Sequence, residues 1–326
     1  MKAEILTALR EAEGYVSGQQ LCQRFGVSRT AVWKAINQLK KEGYAIEAVQ
    51  NRGYRITDTP DILSEDELRS IRRTAWVGEK IYYYEATDST NIRANRLAEE
   101  GAPHGTLVVA DAQDAGRGRR GRGWDSSSGT SVYMTLLLKP DIDAANASML
   151  TLVAAMAVAE GIRRVSGLNA QIKWPNDIVI NGKKVCGILT EMSAQMDYVN
   201  HIVIGIGINV HNESFPEDIA RTATSLLIES GGEHFHRAQL IEAVWEAFEG
   251  YYERYLATQD LRDLRSAYDA GLVNLGERVR VLDPKEPYEG VAQGITDRGE
   301  LIVDKDGTRT LVSSGEVSVR GIYGYV

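Results

Sequence analysis

The sequence predicts an α+β chain in three parts: a small helical module with a hairpin over residues 1–60, a central mixed-sheet domain over 65–270, and a small β-barrel over 272–326. Three observations lead there. Helix-period apolar stripes with capping residues fill the first sixty positions. Between about 80 and 270 strand runs outnumber helices and often follow one another directly, which favours a largely antiparallel or mixed sheet over a doubly wound one. Beyond 272, glycines and prolines cut the chain into short alternating runs, the pattern of a barrel with five or so strands.

The elements follow in order. Ile5, Leu6 and Leu9 stripe a first helix. Ser17 with Gln20 three residues on is a capping box that opens a second helix, with Leu21 and Phe25 on its buried face. Gly26-Val27 turns the chain and Ser28 caps a third helix, whose apolar stripe is Val32, Ala35, Ile36 and Leu39 and whose end is Gly43. Arg29, Thr30, Trp33, Lys34 and Asn37 fall on its other faces. Two short strands follow around Asn51-Arg52-Gly53, with Arg52 at the tip, where a phosphate contact is easy. This is the layout of a winged helix–turn–helix, with Ser28, Arg29, Thr30, Trp33, Lys34 and Arg52 as its DNA-contacting candidates. A helical protein-interaction module remains the other reading. Thr57 to Ser64 is a polar linker, and Ser64 caps a short helix after it.

In the central part the expected strands are Lys80–Glu85, Thr106–Gln113, Ser131–Lys139, Ala170–Lys173, Asp177–Ile180, Val185–Ser193 and His201–Asn209. Helices are expected over Thr90–Glu100, Ala147–Val165 and Ala238–Leu256. Turn signals beyond 272 include Gly276, Pro284, Pro287, Gly290, Gly294, Gly299, Gly307 and Gly315, separating runs such as Glu277–Leu282, Glu300–Asp304 and Thr310–Val312.

Charge is unevenly spread. Residues 1–60 hold 9 Lys/Arg against 6 Asp/Glu and are net +3; the remainder holds 28 against 39 and is net −11, so only the first module suits a polyanion. The two cysteines, Cys22 and Cys186, lie far apart, which excludes a disulfide framework or a cysteine-built zinc site and fits a reducing cytoplasm. No metal-ligand spacing stands out beyond His234-x-His236, so no protein-built metal site is expected. The first residues lack an apolar signal-peptide core, and the longest apolar run, Met149 to Ala159, is too short to span a bilayer; no membrane partner is expected.

The segment richest in chemistry is Gly116-Arg-Gly-Arg-Arg-Gly-Arg-Gly-Trp124. It matches the dinucleotide fingerprint literally, but that fingerprint needs a helix directly after the glycines, and Trp124-Asp-Ser-Ser-Ser-Gly129 is loop. Four arginines interleaved with glycines can fold around an anion and would repel one another without one, which predicts a mobile loop. A solvated basic loop or a nucleic-acid contact stays open at this point. Lys173-Trp-Pro-Asn-Asp177 begins a strand–turn–strand unit whose turn, Asn181-Gly182, puts Lys183 and Lys184 on opposite faces of the returning strand. Ile204-Gly-Ile-Gly-Ile-Asn-Val210 is a strand whose glycines admit close approach of a flat ligand.

With Asp88-Ser-Thr-Asn91, Gln113, Gly116–Trp124, Lys173–Asp177, Lys184 before Gly187, and Gly205-x-Gly-x-Asn209 in that order, the whole chain resembles the biotin protein ligases of the bifunctional type that also repress the biotin operon. Lipoate-protein ligases share the central fold but lack the arginine-rich loop. The resemblance implies a central domain like class II aminoacyl-tRNA synthetases and a C-terminal barrel of SH3-like form. It implies synthesis of biotinyl-5′-AMP from biotin and ATP with Mg²⁺, then transfer of biotin to a lysine of a biotin carboxyl carrier protein domain. It also implies repression at operator DNA, as a cytoplasmic homodimer promoted by the adenylate.

By the same resemblance Arg117, Arg119 and Lys184 are the catalytic cations. Ser89, Thr90, Asn91, Gln113, Arg117, Gly118, Arg119 and Lys184 would hold biotin, and Arg120, Arg122, Trp124, Asn176 and Asn209 the nucleotide. Ser89-Thr90 also reads as a helix N-cap, Trp174 as plain core and Lys173 as a solvated strand end. One departure stands out: the stretch from His211 to Leu227 holds no tryptophan to cover an adenine, and Phe215 is its only aromatic residue. A ligand-sensing regulator without catalysis, and a ligase whose first module no longer reads DNA, are the competing functions. Retention of Arg117, Arg119 and Lys184 together speaks against the first, and the basic N-terminal segment with its Asn-Arg-Gly turn against the second.

Overall fold

The computed structural model describes every residue except 196–197, 284–285, 315–317 and 322–324. The turn signals at Pro284 and Gly315 lie outside the described residues. The chain divides into two compact units: Met1–Arg73 with His236–Gln239, and Thr74–Phe235 with Leu240–Val326.

The first unit starts with helices α1 (Lys2–Glu11), α2 (Gly18–Phe25) and α3 (Arg29–Lys41). The capping box of α2 is complete, with Gln20 N–H donating to Ser17 Oγ and Ser17 N–H to Gln20 Oε1. Ser28 Oγ accepts from Ala31 N–H at the start of α3. Ile5, Leu6, Leu9, Leu21, Val32, Ile36 and Leu39 form the core, sealed by Tyr44 and Ile46. Burying these faces outweighs the weak intrinsic stability of helices this short. Strands β1 (Ala45–Val49) and β2 (Gly53–Asp58) make the hairpin, and Asn51 and Gly53 both take positive φ in its turn. The compact unit runs past the polar linker because helix α4 (Glu65–Ile71) belongs to it. Lys2 pairs with Asp66, and Arg10 with the buried Glu67, which also accepts from the Tyr44 hydroxyl. Burial and Glu67 push the Tyr44 phenol far above its ordinary range.

The second unit is built on a seven-stranded sheet. Its elements are β3 (Ile81–Thr87), α5 (Thr90–Glu99), β4 (Thr106–Gln113), β5 (Ser131–Leu138), α6 (Met149–Ser166), β6 (Gln171–Lys173), β7 (Asp177–Ile180), β8 (Lys183–Gln195) and β9 (Tyr198–Asn209). The order is β3-β4-β5-β9-β8-β7-β6; only β3 and β4 run parallel, so the sheet is mixed as the strand spacing predicts. α7 (Leu226–Glu229), α8 (Arg237–Thr258) and α9 (Arg265–Gly271) follow; α7 and α9 carry too few periodic residues to be expected from sequence. α6 corrects one expectation. With the turn before it, Ala144–Ser166 is long and apolar enough to cross a membrane, yet 78% of an apolar 18-residue window within it is buried inside the fold, as a core helix is.

The same unit holds a five-stranded antiparallel sheet of β10 (Arg278–Leu282), β11 (Tyr288–Ile295), β12 (Leu301–Lys305), β13 (Thr308–Val312) and β14 (Ser318–Gly321), ordered β13-β12-β11-β10-β14. It is fastened to the large sheet. Trp174, expected as plain core, is buried and donates from Nε1 to Gly299 O at 3.0 Å.

Candidate active site

The cleft lies over the middle of the seven-stranded sheet. It spans about 470 Å³ of space, its open mouth included, and is lined by Ser89, Thr90, Asn91, Gln113, Arg117, Gly118, Arg119, Trp124, Asn176, Lys184, Gly187, Ile188, Leu189, Gly205, Ile206 and Gly207. Residues from four distant stretches of sequence meet there because α5, the loop after β4 and the strands β8 and β9 share one end of the sheet.

One wall is the start of α5. Ser89 takes the N-cap position but makes no side-chain capping bond. Its buried hydroxyl lines the cleft instead. The cap is served from across the sheet, as Thr90 N–H donates to Gln113 Oε1 at 2.8 Å. Gln113 Nε2 donates to Ser126 Oγ at 2.9 Å, and Ser126 Oγ to Trp124 O at 3.0 Å, so the helix start and the far end of the arginine loop are joined. Thr135 hydroxyl lies 2.8 Å from Thr90 Oγ1 and 2.7 Å from Asn91 Oδ1, while Asn91 Nδ2 donates to Glu191 Oε2 at 2.8 Å.

The arginine–glycine loop is not an open string of charges. It closes as a hairpin, with Gly118 N–H donating to Arg122 O at 2.7 Å and Trp124 N–H to Gly116 O at 2.9 Å. Arg119 begins a single 3₁₀ turn at its tip. Its guanidinium is spent on the scaffold: Nη1 donates to Asn176 Oδ1 at 2.8 Å and Nη2 to Ser314 O at 2.6 Å. Arg117, Arg120 and Arg122 stay exposed and make no ion pair among the described residues; of these only Arg117 lines the cleft.

The strand glycines also line the cleft. They admit close approach, but by protein. A Cβ on Gly207 would stand 2.7 Å from the Trp124 ring and one on Gly187 2.9 Å from it, while a Cβ on Gly205 would collide with Asn91. Trp124 therefore lies flat across two strands as the aromatic floor of the cleft.

Lys184 is the cation on the strands. β7 and β8 slip register between Ile178 and Val179, leaving Val185 as an extra residue, and such bulges re-aim side chains beside sites. Lys184 points into the cleft while Lys183 is exposed, so the alternation reading holds. Its backbone is clamped by the loop after β9, through Lys184 N–H to Thr222 O at 2.7 Å and Thr224 N–H to Lys184 O at 2.8 Å. Its Nζ sits 2.6 Å from Asp177 Oδ1 and 5.3 Å from the Trp124 ring.

With that geometry in place, comparison with known proteins is decisive. The biotin/lipoate A/B protein ligase family matches residues 83–209, an HTH domain 2–55, and the biotin protein ligase C terminal domain 275–320. A bifunctional ligase/repressor BirA of Bacillus subtilis is 42% identical over 303 residues, 92% of this chain and 93% of that protein. The chain belongs to the biotin protein ligase family. The Escherichia coli bifunctional ligase/repressor BirA is 28% identical across 97% of the chain and 96% of its own length. A biotin protein ligase of Aquifex aeolicus, solved in complex with biotin and ATP, superposes with a TM-score of 0.66 at 28% identity, over 74% of this chain and 99% of that one.

Within this biotin protein ligase fold the predicted residues separate by place. Ser89, Thr90, Asn91, Gln113, Arg117, Gly118, Arg119, Trp124, Asn176 and Lys184 meet at the cleft. Asn209 does not line it: it is buried and donates to Thr224 O at 3.0 Å, bracing the loop that clamps Lys184. In the first unit, Arg29, Thr30, Trp33 and Lys34 lie exposed on α3, and Arg52 at the hairpin turn stacks 4.4 Å over the Tyr15 ring.

Sequence reasoning passed over Asp177 and Tyr325. Lys173, expected at a solvated strand end, is buried beside Asp177 at 3.9 Å, and its ammonium lies 3.7 Å from the centre of the Tyr325 ring. Burial pulls the Lys173 ammonium down to about 8, against the opposing pull of Asp177. Burial raises the Asp177 carboxyl, but Lys184, Lys173 and the Tyr325 hydroxyl together outweigh it and hold the group below the ordinary carboxylate range. Asp177 ends the quoted lysine-tryptophan-proline-asparagine-aspartate run, so its signal was present; Tyr325, 148 residues away, has no local signature.

Proposed function

We propose that the chain is an ATP-dependent biotin protein ligase that forms biotinyl-5′-AMP, transfers biotin to a lysine of a carrier domain, and represses biotin genes with the adenylate as corepressor. The observation that carries this reading is the convergence of Arg117, Arg119 and Lys184 on one cleft with a polar end at Ser89, Thr90 and Gln113. A carboxylate and a triphosphate repel each other, so cations are needed to bring them together and to stabilise the transition state.

The polar end takes the ureido ring of biotin, with Asn91 and Gly118 completing its wall. A carboxylate oxygen of biotin then attacks the α-phosphorus beside Lys184; the bond to pyrophosphate breaks and the mixed anhydride remains. Arg117 and Arg119 hold the acyl phosphate, and Arg120 and Arg122, exposed at the loop, meet nucleotide phosphates with Asn176. The carrier amine next attacks the anhydride carbonyl, AMP leaves, and the amide forms with loss of a proton. Magnesium would accompany the ATP, held through its phosphates, while Asp177 is paired with its lysines.

The functional modules are 1–60, 65–270 and 272–326, the central one akin to class II synthetases and the last of SH3-like form. The first reads DNA with Ser28, Arg29, Thr30, Trp33, Lys34 and Arg52. One such module covers one half-site, so operator binding calls for a dimer. The dimer contact lies in the central domain near the ligand loops, and adenylate and dimer stabilise each other by linkage. These reactions suit a cytoplasmic protein. Incubation with biotin, ATP–Mg²⁺ and a carrier domain, with the mass of the carrier lysine as readout, tests the ligase reading. A carrier of unchanged mass would contradict it.

A further inference from the structure

We infer, on the ligase reading above, that Tyr325 is a positioning residue for adenylation: through Asp177 it holds Lys184 at the reacting end of the cleft. The contacts form one chain. Tyr325 donates its hydroxyl to Asp177 Oδ2, and Asp177 Oδ1 pairs with Lys184 Nζ at 2.6 Å. The same phenol ring covers the Lys173 ammonium at 3.7 Å.

Asp177 stands between two lysines and has to be shared. Lys173, on β6, approaches Oδ2 only to 3.9 Å. With the hydroxyl engaged, Oδ2 is occupied, and Oδ1 is left to its ion pair with Lys184 on β8. Without it, Oδ2 keeps only the distant Lys173, and the carboxylate is free to swing towards that lysine and away from Lys184. The ring opposes this swing as well, because a cation over an aromatic face is stabilised where water is excluded. The phenol is pushed far above its ordinary range by burial and by Asp177, so it remains a donor throughout the working pH range.

Other groups facing this cluster are Cys186 on β8, Arg320 on β14, and Arg119 and Arg122 in the arginine loop. The arginines stay charged, and burial raises the Cys186 thiol far above its ordinary value. Asp177 is therefore the group here whose titration loss of the Tyr325 hydroxyl alters on the acid side.

The test compares wild type with Tyr325→Phe, which keeps the ring over Lys173 and removes only the hydroxyl. Biotin-dependent pyrophosphate–ATP exchange is expected to lose about tenfold in kcat, the scale of one hydrogen bond to a charged group. KM for biotin and ATP should stay within about twofold, since no substrate contact is removed. The acid limb of the pH profile should move up, because the hydroxyl favours ionised Asp177. Wild-type kcat with an unmoved acid limb, or a loss confined to KM or to thermal stability, would overturn the proposal. Titration of the Asp177 carboxyl by ¹³C NMR gives a readout independent of activity. A higher midpoint in the variant supports the proposal and an unchanged one refutes it. A wild type without exchange would contradict the ligase reading, while the titration still decides whether Tyr325 governs Asp177.

Discussion

Lys184 and Arg119 reach the same cleft from opposite kinds of structure. Lys184 is carried by β8, held by backbone bonds to Thr222 and Thr224 and by its ion pair with Asp177. Arg119 hangs from a turn between glycines, and its bonds go to Asn176 and to the carbonyl of Ser314. The strand cation is preorganised and neutralised by a buried carboxylate. Two bonds of the loop cation go to neutral oxygens, and beside it Arg117, Arg120 and Arg122 stand exposed. A group that must stabilise charge at the moment of reaction gains from being fixed beforehand. A group that must close over an intermediate and later release it gains from neutral, replaceable contacts. Within the proposed ligase function, we read the difference as synthesis of the adenylate by the strand and its retention by the loop.

Lys184→Ala makes the sharpest test of that division. Adenylation is expected to fall by about 10²–10³-fold, the loss seen when one fixed charge stabiliser is removed. The fold should survive, since Asp177 keeps Lys173 and Tyr325 as partners. Lys183→Ala, on the exposed face, should leave pyrophosphate release unchanged; equal losses in the two variants would break the comparison.

Arg119→Ala comes next in size. Loss of a charge-assisted contact of about 1.5–3 kcal/mol corresponds to adenylate escaping about 10–150 times faster. Labelling of bystander lysines should rise while free biotin binds nearly as before. An unchanged adenylate lifetime would remove the loop from the role given to it.

Gly207→Ala probes the surface between the two regions. Its Cβ would stand 2.7 Å from the Trp124 ring, so the indole has to move off the strands. Overpacking of this kind costs about 1–3 kcal/mol, read as a lower melting temperature. A variant as stable as wild type would mean that Trp124 is not seated there.

The same contrast recurs in the first unit, with the smallest effect. Side chains on α3 are fixed by the helix, whereas Arg52 stands at a hairpin turn over Tyr15. Arg52→Ala should lower the salt dependence of operator binding by about one unit of slope and weaken all sequences alike. A change in sequence preference instead would make Arg52 a base-reading residue.

Much of this was legible in the sequence where the cause is local. Ser17, Ser28 and Ser64 announce helix starts because a cap acts within three residues, and all three accept the expected bonds. Strand periodicity located β4 and β7 to the residue. The strand glycines announced close approach, but not by what: that Trp124 and Asn91 fill the space depends on how a loop and a helix fold over the sheet. Asn209 sits in a motif suited to a ligand, yet its amide braces a loop that periodicity does not describe. Nothing near Tyr325 hints at Asp177, since the pairing arises only once the small sheet is fastened to the large one.

The most direct test of the division between strand and loop is biotin-dependent exchange of label between pyrophosphate and ATP, measured side by side in wild type, Lys184→Ala and Arg119→Ala. Exchange should be present in wild type and absent without biotin. It should be nearly lost in Lys184→Ala and should persist in Arg119→Ala, which still makes the adenylate but lets it go. Equal loss in both variants, or exchange in Lys184→Ala at the wild-type rate, would contradict the account.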